Sequence, residues 1–247
     1  MAQAFQGNSI PESCKLIGWA WLTQKLRLKV PLRELSCIST KRLSSQSTKK
    51  GPWIIFDSLL AVDDTIWGHL EFALKHESLD ILVLKFILNS CRADEIVDCI
   101  NKNPRGIYSK KIWFWYEYLL DNKLPLKDLP PGKYDDLINE KKYFTLTKSK
   151  KSKRHKINNN SLGHSKFCPI IKKTDKLVHL SNKNLHKKID QTLTQVSKSV
   201  LRRAASFLLL SDSKASFEIE GERPPKNRIE RWGKVINQAG KPSCCFD

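Results

Sequence analysis

Apolar residues recur at helical spacing through most of the first half of the chain. Between Glu12 and Leu26, residues Leu16, Ile17, Ala20 and Trp21 share one face, and Ser13 is placed to cap a helix. From Lys29 to Ser58 the pattern is mixed. Leu35–Ile38 and Trp53–Phe56 are candidate short strands on either side of a Ser-, Lys- and Gly-rich loop at Ser44–Gly51. Four helices are then predicted in succession. Thr65–His76 follows Asp64 and carries the stripe Ile66, Leu70, Ala73, Leu74; Leu79–Ser90 follows Ser78 and is apolar on most sides, hence central. Ala93–Asn103 ends at Pro104 and a Gly106 turn, and Tyr108–Asp121 adds Ile112, Trp115, Tyr116, Leu119 and Leu120 to the same core. The run Trp113–Tyr116 could stack on bases, but side chains of consecutive helical residues point in several directions, which favours core packing.

Beyond the three prolines of Pro125–Gly132, irregular chain with short strands is expected, and Asn158–Gly163 has turn chemistry. Helix resumes from Ser181. A long helix is expected over Ser199–Glu220, with Gly221 as its C-terminal cap ahead of Pro224 and Pro225. Asn227 and Glu230 form a capping box that opens a last helix, Arg228–Ala239, closed by Gly240 and Pro242. No internal repeat interrupts this order. The fold class expected is mainly α.

Composition narrows the picture. Forty per cent apolar residues, with seven Trp and ten Phe, exclude a wholly disordered chain. No apolar run approaches the 18 residues of a membrane span, and Met1–Asn8 has neither the basic nor the apolar region of a secretory signal, so a cytoplasmic protein without membrane contact is expected. The seven cysteines are odd in number, scattered and free of any Cys-x-x-Cys pair, which favours free thiols. His164 and Cys168 stand four apart, but the adjoining Pro169 argues against a zinc site, and no metal is expected.

Charge is uneven. The net charge is +19, yet residues 1–140 hold 19 basic and 17 acidic side chains, whereas residues 141–190 hold 15 and 2. The excess centres on Lys148–Lys156. There Lys148, Lys150, Lys151, Lys153, Arg154 and Lys156 are candidate contacts for phosphate or nucleic acid, through weak, non-specific counterion release. A solvated loop in a lysine-rich protein is the competing reading, since Lys outnumbers Arg 33 to 11.

No catalytic pattern stands out: there is no Gly-rich phosphate loop, nucleophile elbow or His-Glu-x-x-His. One string is informative. Ser216-Phe-Glu-Ile-Glu220-Gly221-Glu222 fits Ser/Thr-x-x-x-Glu-Gly/Asn and follows the apolar stretch Leu201–Leu210, with Arg228 and Arg231 on the next predicted helix. Upstream pieces accompany it: Ile17–Leu22, His69–Lys75, Ile112–Glu117 running to Leu124–Leu126, Asn160–Gly163, Phe167–Pro169 and Thr174.

Together these pieces, over residues 12–240, resemble the N-terminal region and inhibitory helix of Fic (Fido) family adenylyltransferases. The resemblance implies a helical fold and AMP transfer from ATP, with Mg2+, to a target hydroxyl. In such proteins the helix Glu pairs with an Arg of the core that would hold the ATP γ-phosphate. Ser216, Glu220 and Gly221 are the motif residues so implied, Ser216 lying one turn before Glu220 on the same face. The family's core motif, His-x-Phe-x-Asp/Glu-Gly-Asn-Gly-Arg-x-x-Arg, does not occur in these 247 residues. The expectation is therefore a truncated family member without a catalytic residue or cofactor of its own, partnered by a Fic core in cis or in trans. Its regions are a helical N-terminal domain (12–130), a basic irregular segment (131–190), the inhibitory-helix region (191–240) and an off-pattern tail (241–247). The alternative is a nucleic-acid-binding or antitoxin-like module built on residues 141–190.

Overall fold

A computed structural model describes residues 4–221 and positions 225, 227, 228, 230, 231 and 235. It divides into two units, Met1–Lys173 and Thr174–Asp247.

The N-terminal unit opens with a ribbon of β1 (Ala4–Phe5) and β2 (Asn8–Ser9), joined through Gln6 and Gly7, both at positive φ. The helix expected over Glu12–Leu26 is only half present. Ser13 and Gly18 both take positive φ, and between them β3 (Cys14–Leu16) pairs with a later strand, so α1 covers only Gly18–Lys25. Next come β4 (Leu35–Ser39), β5 (Ser47–Lys50) and β6 (Trp53–Phe56). The four-stranded sheet runs β3-β4-β6-β5; only the β4–β6 pair is parallel, with Leu35 opposite Trp53 and Ile38 opposite Phe56. β4 is buried along its whole length. Leu35, Cys37, Trp53 and Ile55 pack with Phe5, Leu16 and Ala20. Ile38 and Phe56 join Ile17 and Phe72 in a separate cluster.

Four helices follow: α2 (Ile66–His76), α3 (Ile81–Ser90), α4 (Ala93–Lys102) and α5 (Ile107–Leu120). Thr65 caps α2 by accepting from the Gly68 amide, and Asp80 caps α3 by accepting from Leu82 and Val83. α5 is the centre of the main core. Its Ile112, Trp113, Trp115 and Leu119 lie with Val83, Leu84, Ile87 and Leu88 of α3, Leu70 of α2 and Ile96 and Ile100 of α4. Trp113, Phe114, Trp115 and Tyr116 are all buried, so this aromatic run offers no stacking platform.

The expectation of a mainly α protein with an irregular basic segment does not hold. Helix accounts for 44% of the described residues and strand for 14%, with three sheets among them, which makes the architecture mixed α/β. The third sheet contributes to the difference, because it lies inside the basic segment, 131–190. β7 (Asp135–Asp136), β8 (Lys150–Ser152) and β9 (Ile157–Asn159) form the order β7-β9-β8, with β8 and β9 as a hairpin. Alternation of apolar residues is nearly absent there; Ile157, fully buried against the main core, anchors the sheet.

The second unit contains α6 (Asp175–Asn182), α7 (Leu185–Thr194) and α8 (Lys198–Ile219). Thr174 caps α6, beginning it ahead of the expected Ser181, and Ser197 caps α8. No described residue of this unit is buried. The helix expected over Arg228–Ala239 and the 241–247 tail fall largely or wholly outside the described residues. Among the described residues no helix is long and apolar enough to cross a membrane.

Gly18 is where the sheet and the helices constrain one another. Its φ is +58, and a Cβ there would sit 1.4 Å from the Glu77 Oε1. Gly18→Ala should therefore cost more than the ~1–3 kcal/mol of a left-handed non-glycine residue, because Glu77 must also move. Urea unfolding of the two proteins checks this; equal midpoints would refute it.

Candidate functional site

The basic hairpin is tied to the core by its single arginine. Arg154 lies between β8 and β9, and its side chain is 13% exposed. Its Nε and Nη2 donate to the Glu117 carboxylate of α5 at 2.9–3.1 Å. Nη2 also donates to the Leu124 carbonyl, and Nη1 to the Leu126 carbonyl and Asp128, at 2.7–2.8 Å. The guanidinium lies 4.8 Å from the Trp113 ring centroid. Glu117 further accepts from the Trp113 indole at 2.8 Å and the Leu124 amide at 3.0 Å, and it contacts His155 Nε2 at 3.0 Å. Burial alone would raise the Glu117 pKa, but Arg154, Trp113, Leu124 and His155 together hold it below the usual carboxylate value. Burial pushes His155 down to about 4, so its imidazole is neutral near pH 7.

Arg154 is thus committed to protein partners and does not project as a free phosphate contact. Lys148, Lys150, Lys151 and Lys153 are exposed. Lys156 is half-buried at φ +52, and its ammonium and that of Lys151 each lie 5.5 Å from the Tyr134 ring centroid.

A second buried carboxyl, Glu77, follows α2. Both of its oxygens accept the Trp19 amide, at 3.2 and 3.3 Å, beside the N-terminus of α1, where the Gly18 amide donates to His69 Nδ1 at 3.2 Å. Burial first, and the charge of Glu34, push its pKa up to about 8. Sequence reasoning missed both carboxyls. Glu117 left a signal, a lone acid among the apolar positions Ile112, Trp113, Tyr116 and Leu120, which calls for a cation. Glu77 left none, since it follows a helix end where acids are ordinary.

The Ser216 motif occupies the last turn of α8. Ser216 Oγ donates to the Asp212 carbonyl at 3.0 Å, and the Glu220 amide donates to the Ser216 carbonyl at 3.4 Å. Gly221, at φ +74, donates its amide to Glu218 O at 3.1 Å and ends the helix. Ser216 and Glu220 are exposed, and among the described residues Glu220 makes no ion pair. They line a cavity of about 510 Å³ with Phe217, Arg228, Arg231 and Val235. The Arg228 guanidinium lies 5.3 Å from the Phe217 ring centroid. Among the described residues no group of three or more His, Cys, Asp or Glu could hold a metal ion.

No family model, curated protein or solved structure matches the chain.

The two buried groups give opposite pH effects. Folded Glu77 keeps its proton to about pH 8, against an ordinary 4.5, so it takes stability away as pH rises through that window. Folded His155 refuses a proton down to about pH 4, against an ordinary 6.5, so its contribution disappears as pH falls through that window. Relative to the wild type, Glu77→Gln should gain stability from pH 6.5 to 8, and His155→Gln should gain from pH 6.5 down to 4. Unfolding free energies across pH test both, and differences that stay flat would contradict them.

Proposed function

We propose that this chain is the N-terminal and inhibitory portion of a Fic-type protein adenylyltransferase, acting in the cytoplasm, with its catalytic motif supplied from outside these 247 residues in cis or in trans. The observation that carries the reading is the last turn of α8. Ser216 and Glu220 stand one turn apart there, Glu220 is exposed without an ion pair among the described residues, and Gly221 closes the helix in the left-handed conformation. A free carboxylate at a capped helix end is a fit partner for an arginine of a catalytic core.

In this reading ATP and Mg2+ would be held by the core rather than by this chain. The cavity beside Glu220 offers two arginines and one carboxylate, with no Gly-rich loop, and the described residues assemble no metal-ligand group. On this reading the chain alone is a regulatory element without AMP transfer of its own, since the family's core motif does not occur in its sequence. Its target would be a protein hydroxyl selected by the core.

The experiment joins a Fic core after Gly240 and follows labelled AMP transfer to protein. Glu220→Gly should raise transfer at least tenfold over the fused wild type, and a core-His knockout should abolish it. A fused wild type as active as Glu220→Gly would end the inhibitory reading.

The four exposed lysines of the hairpin favour a second reading, a sequence-indifferent hold on nucleic acid. Changing Lys148, Lys150, Lys151 and Lys153 to Gln should lower the slope of log affinity against log salt by up to about 0.9 for each phosphate that a lysine had neutralised. A preference of ~4 kcal/mol for one sequence at physiological salt would instead indicate a specific reader.

A further inference from the structure

The N-terminal unit contains a cavity of about 380 Å³, within the range that holds small organic ligands, formed where β4, the end of α2 and Tyr143 meet. Its deep groups are Trp19, Ser36, Glu77 and Tyr143, none more than 8% exposed. Glu34 is half-buried in the same wall, and its Oε2 accepts the Ser78 hydroxyl at 2.8 Å. The cations that line the cavity, Arg33, Lys49 and Lys172, are all exposed and so mark its mouth. Arg33 leans toward Asp80 at 4.0 Å; Lys49 and Lys172 make no ion pair among the described residues.

The cavity is therefore polarised, with carboxyls within and uncommitted ammonium groups at the rim. Its inner groups have capacity to spare. Glu77 accepts from the Trp19 amide and the Ser36 hydroxyl, which fills part of the roughly four acceptor positions of a carboxyl. The Tyr143 oxygen accepts the Leu79 amide at 2.8 Å, and its own proton has no acceptor among the described residues. Two carboxyls that disfavour each other's charge in a buried wall are what an entering cation relieves.

We propose that this cavity binds a small zwitterion, its ammonium end against Glu34 and Glu77 and its carboxylate end at Lys49 and Lys172. Because the two partner sets lie at different depths, the ligand's charges are separated by several bonds, as in an ω-amino acid. The Tyr143 hydroxyl is an additional donor along the way.

The test is calorimetric titration of the full chain with 6-aminohexanoate, hexylamine and hexanoate, which share a carbon chain and differ in charge. Saturable one-to-one binding of 6-aminohexanoate is expected, with either singly charged analogue at least tenfold weaker. Glu34→Gln and the double change Lys49→Ala, Lys172→Ala should each weaken it roughly tenfold while leaving the melting temperature in place. No saturable binding up to about 10 mM, equal binding of either analogue, or wild-type affinity in both variants would overturn the assignment. The three probes on the unaltered chain suffice to decide.

Discussion

The Glu117–Arg154 pair holds the N-terminal unit's two kinds of structure together. Glu117 is on the helix that centres the core, and Arg154 is in the most basic stretch of the chain, 37 residues later. Each charge is expensive to bury alone, and breaking such a pair typically costs ~3–5 kcal/mol. Here the burial is tolerable because nearly every lone pair and N–H finds a partner. Arg154 also donates to the Leu124 and Leu126 carbonyls, so the segment following α5 is fixed by the same side chain. A related arrangement joins Lys110 of α5 to Asp135 of β7. The small third sheet, with little apolar surface of its own, is held against the helices mainly by charge and by Ile157.

This distribution separates two roles that one run of basic residues could have shared. The arginine, with its planar fork of donors, is used inside the protein, where fixed geometry counts. The lysines face water. A surface of point charges without arginine suits loose attraction to any polyanion better than recognition of one. The proposed inhibitory role, by contrast, sits at a helix end in the other unit and rests on a single carboxylate.

The helices between residues 65 and 121 were legible because each carries an uninterrupted apolar stripe and clear stop signals; their ends lie within two residues of those read from sequence. Trp53–Phe56 was legible as a continuous apolar run, and Leu35–Ser39 through Leu35, Cys37 and Ile38. β5 was not, since Ser47–Lys50 is an exposed polar strand whose conformation comes from pairing with β6. β8 and β9 fall where short strands were expected, but their positions were hidden by lysines and asparagines, with Arg154 and Ile157 pinning the hairpin. Cys14–Leu16 reads as helix because its apolar positions fit that period, while positive φ at Ser13 and Gly18 is a tertiary decision. Of the proposed site, Ser216, Glu220 and Gly221 were visible as a motif, whereas Glu77 and its cavity depend on contacts between residues up to 64 apart.

The helices of the second unit leave apolar stripes in water: Leu185, Ile189 and Leu193 along α7, and Val200, Phe207 and Leu210 along α8. Helices of 8 and 10 residues, such as α6 and α7, are shorter than the roughly 12–15 residues at which isolated helices become even marginal in water. Without a covered face, such segments open locally at little free energy, and proteolysis follows the population of the open form. The consequence is one of lifetime. A partner surface that covered these stripes would lower the population of the open form, and would lengthen the life of the segment that carries Ser216 and Glu220.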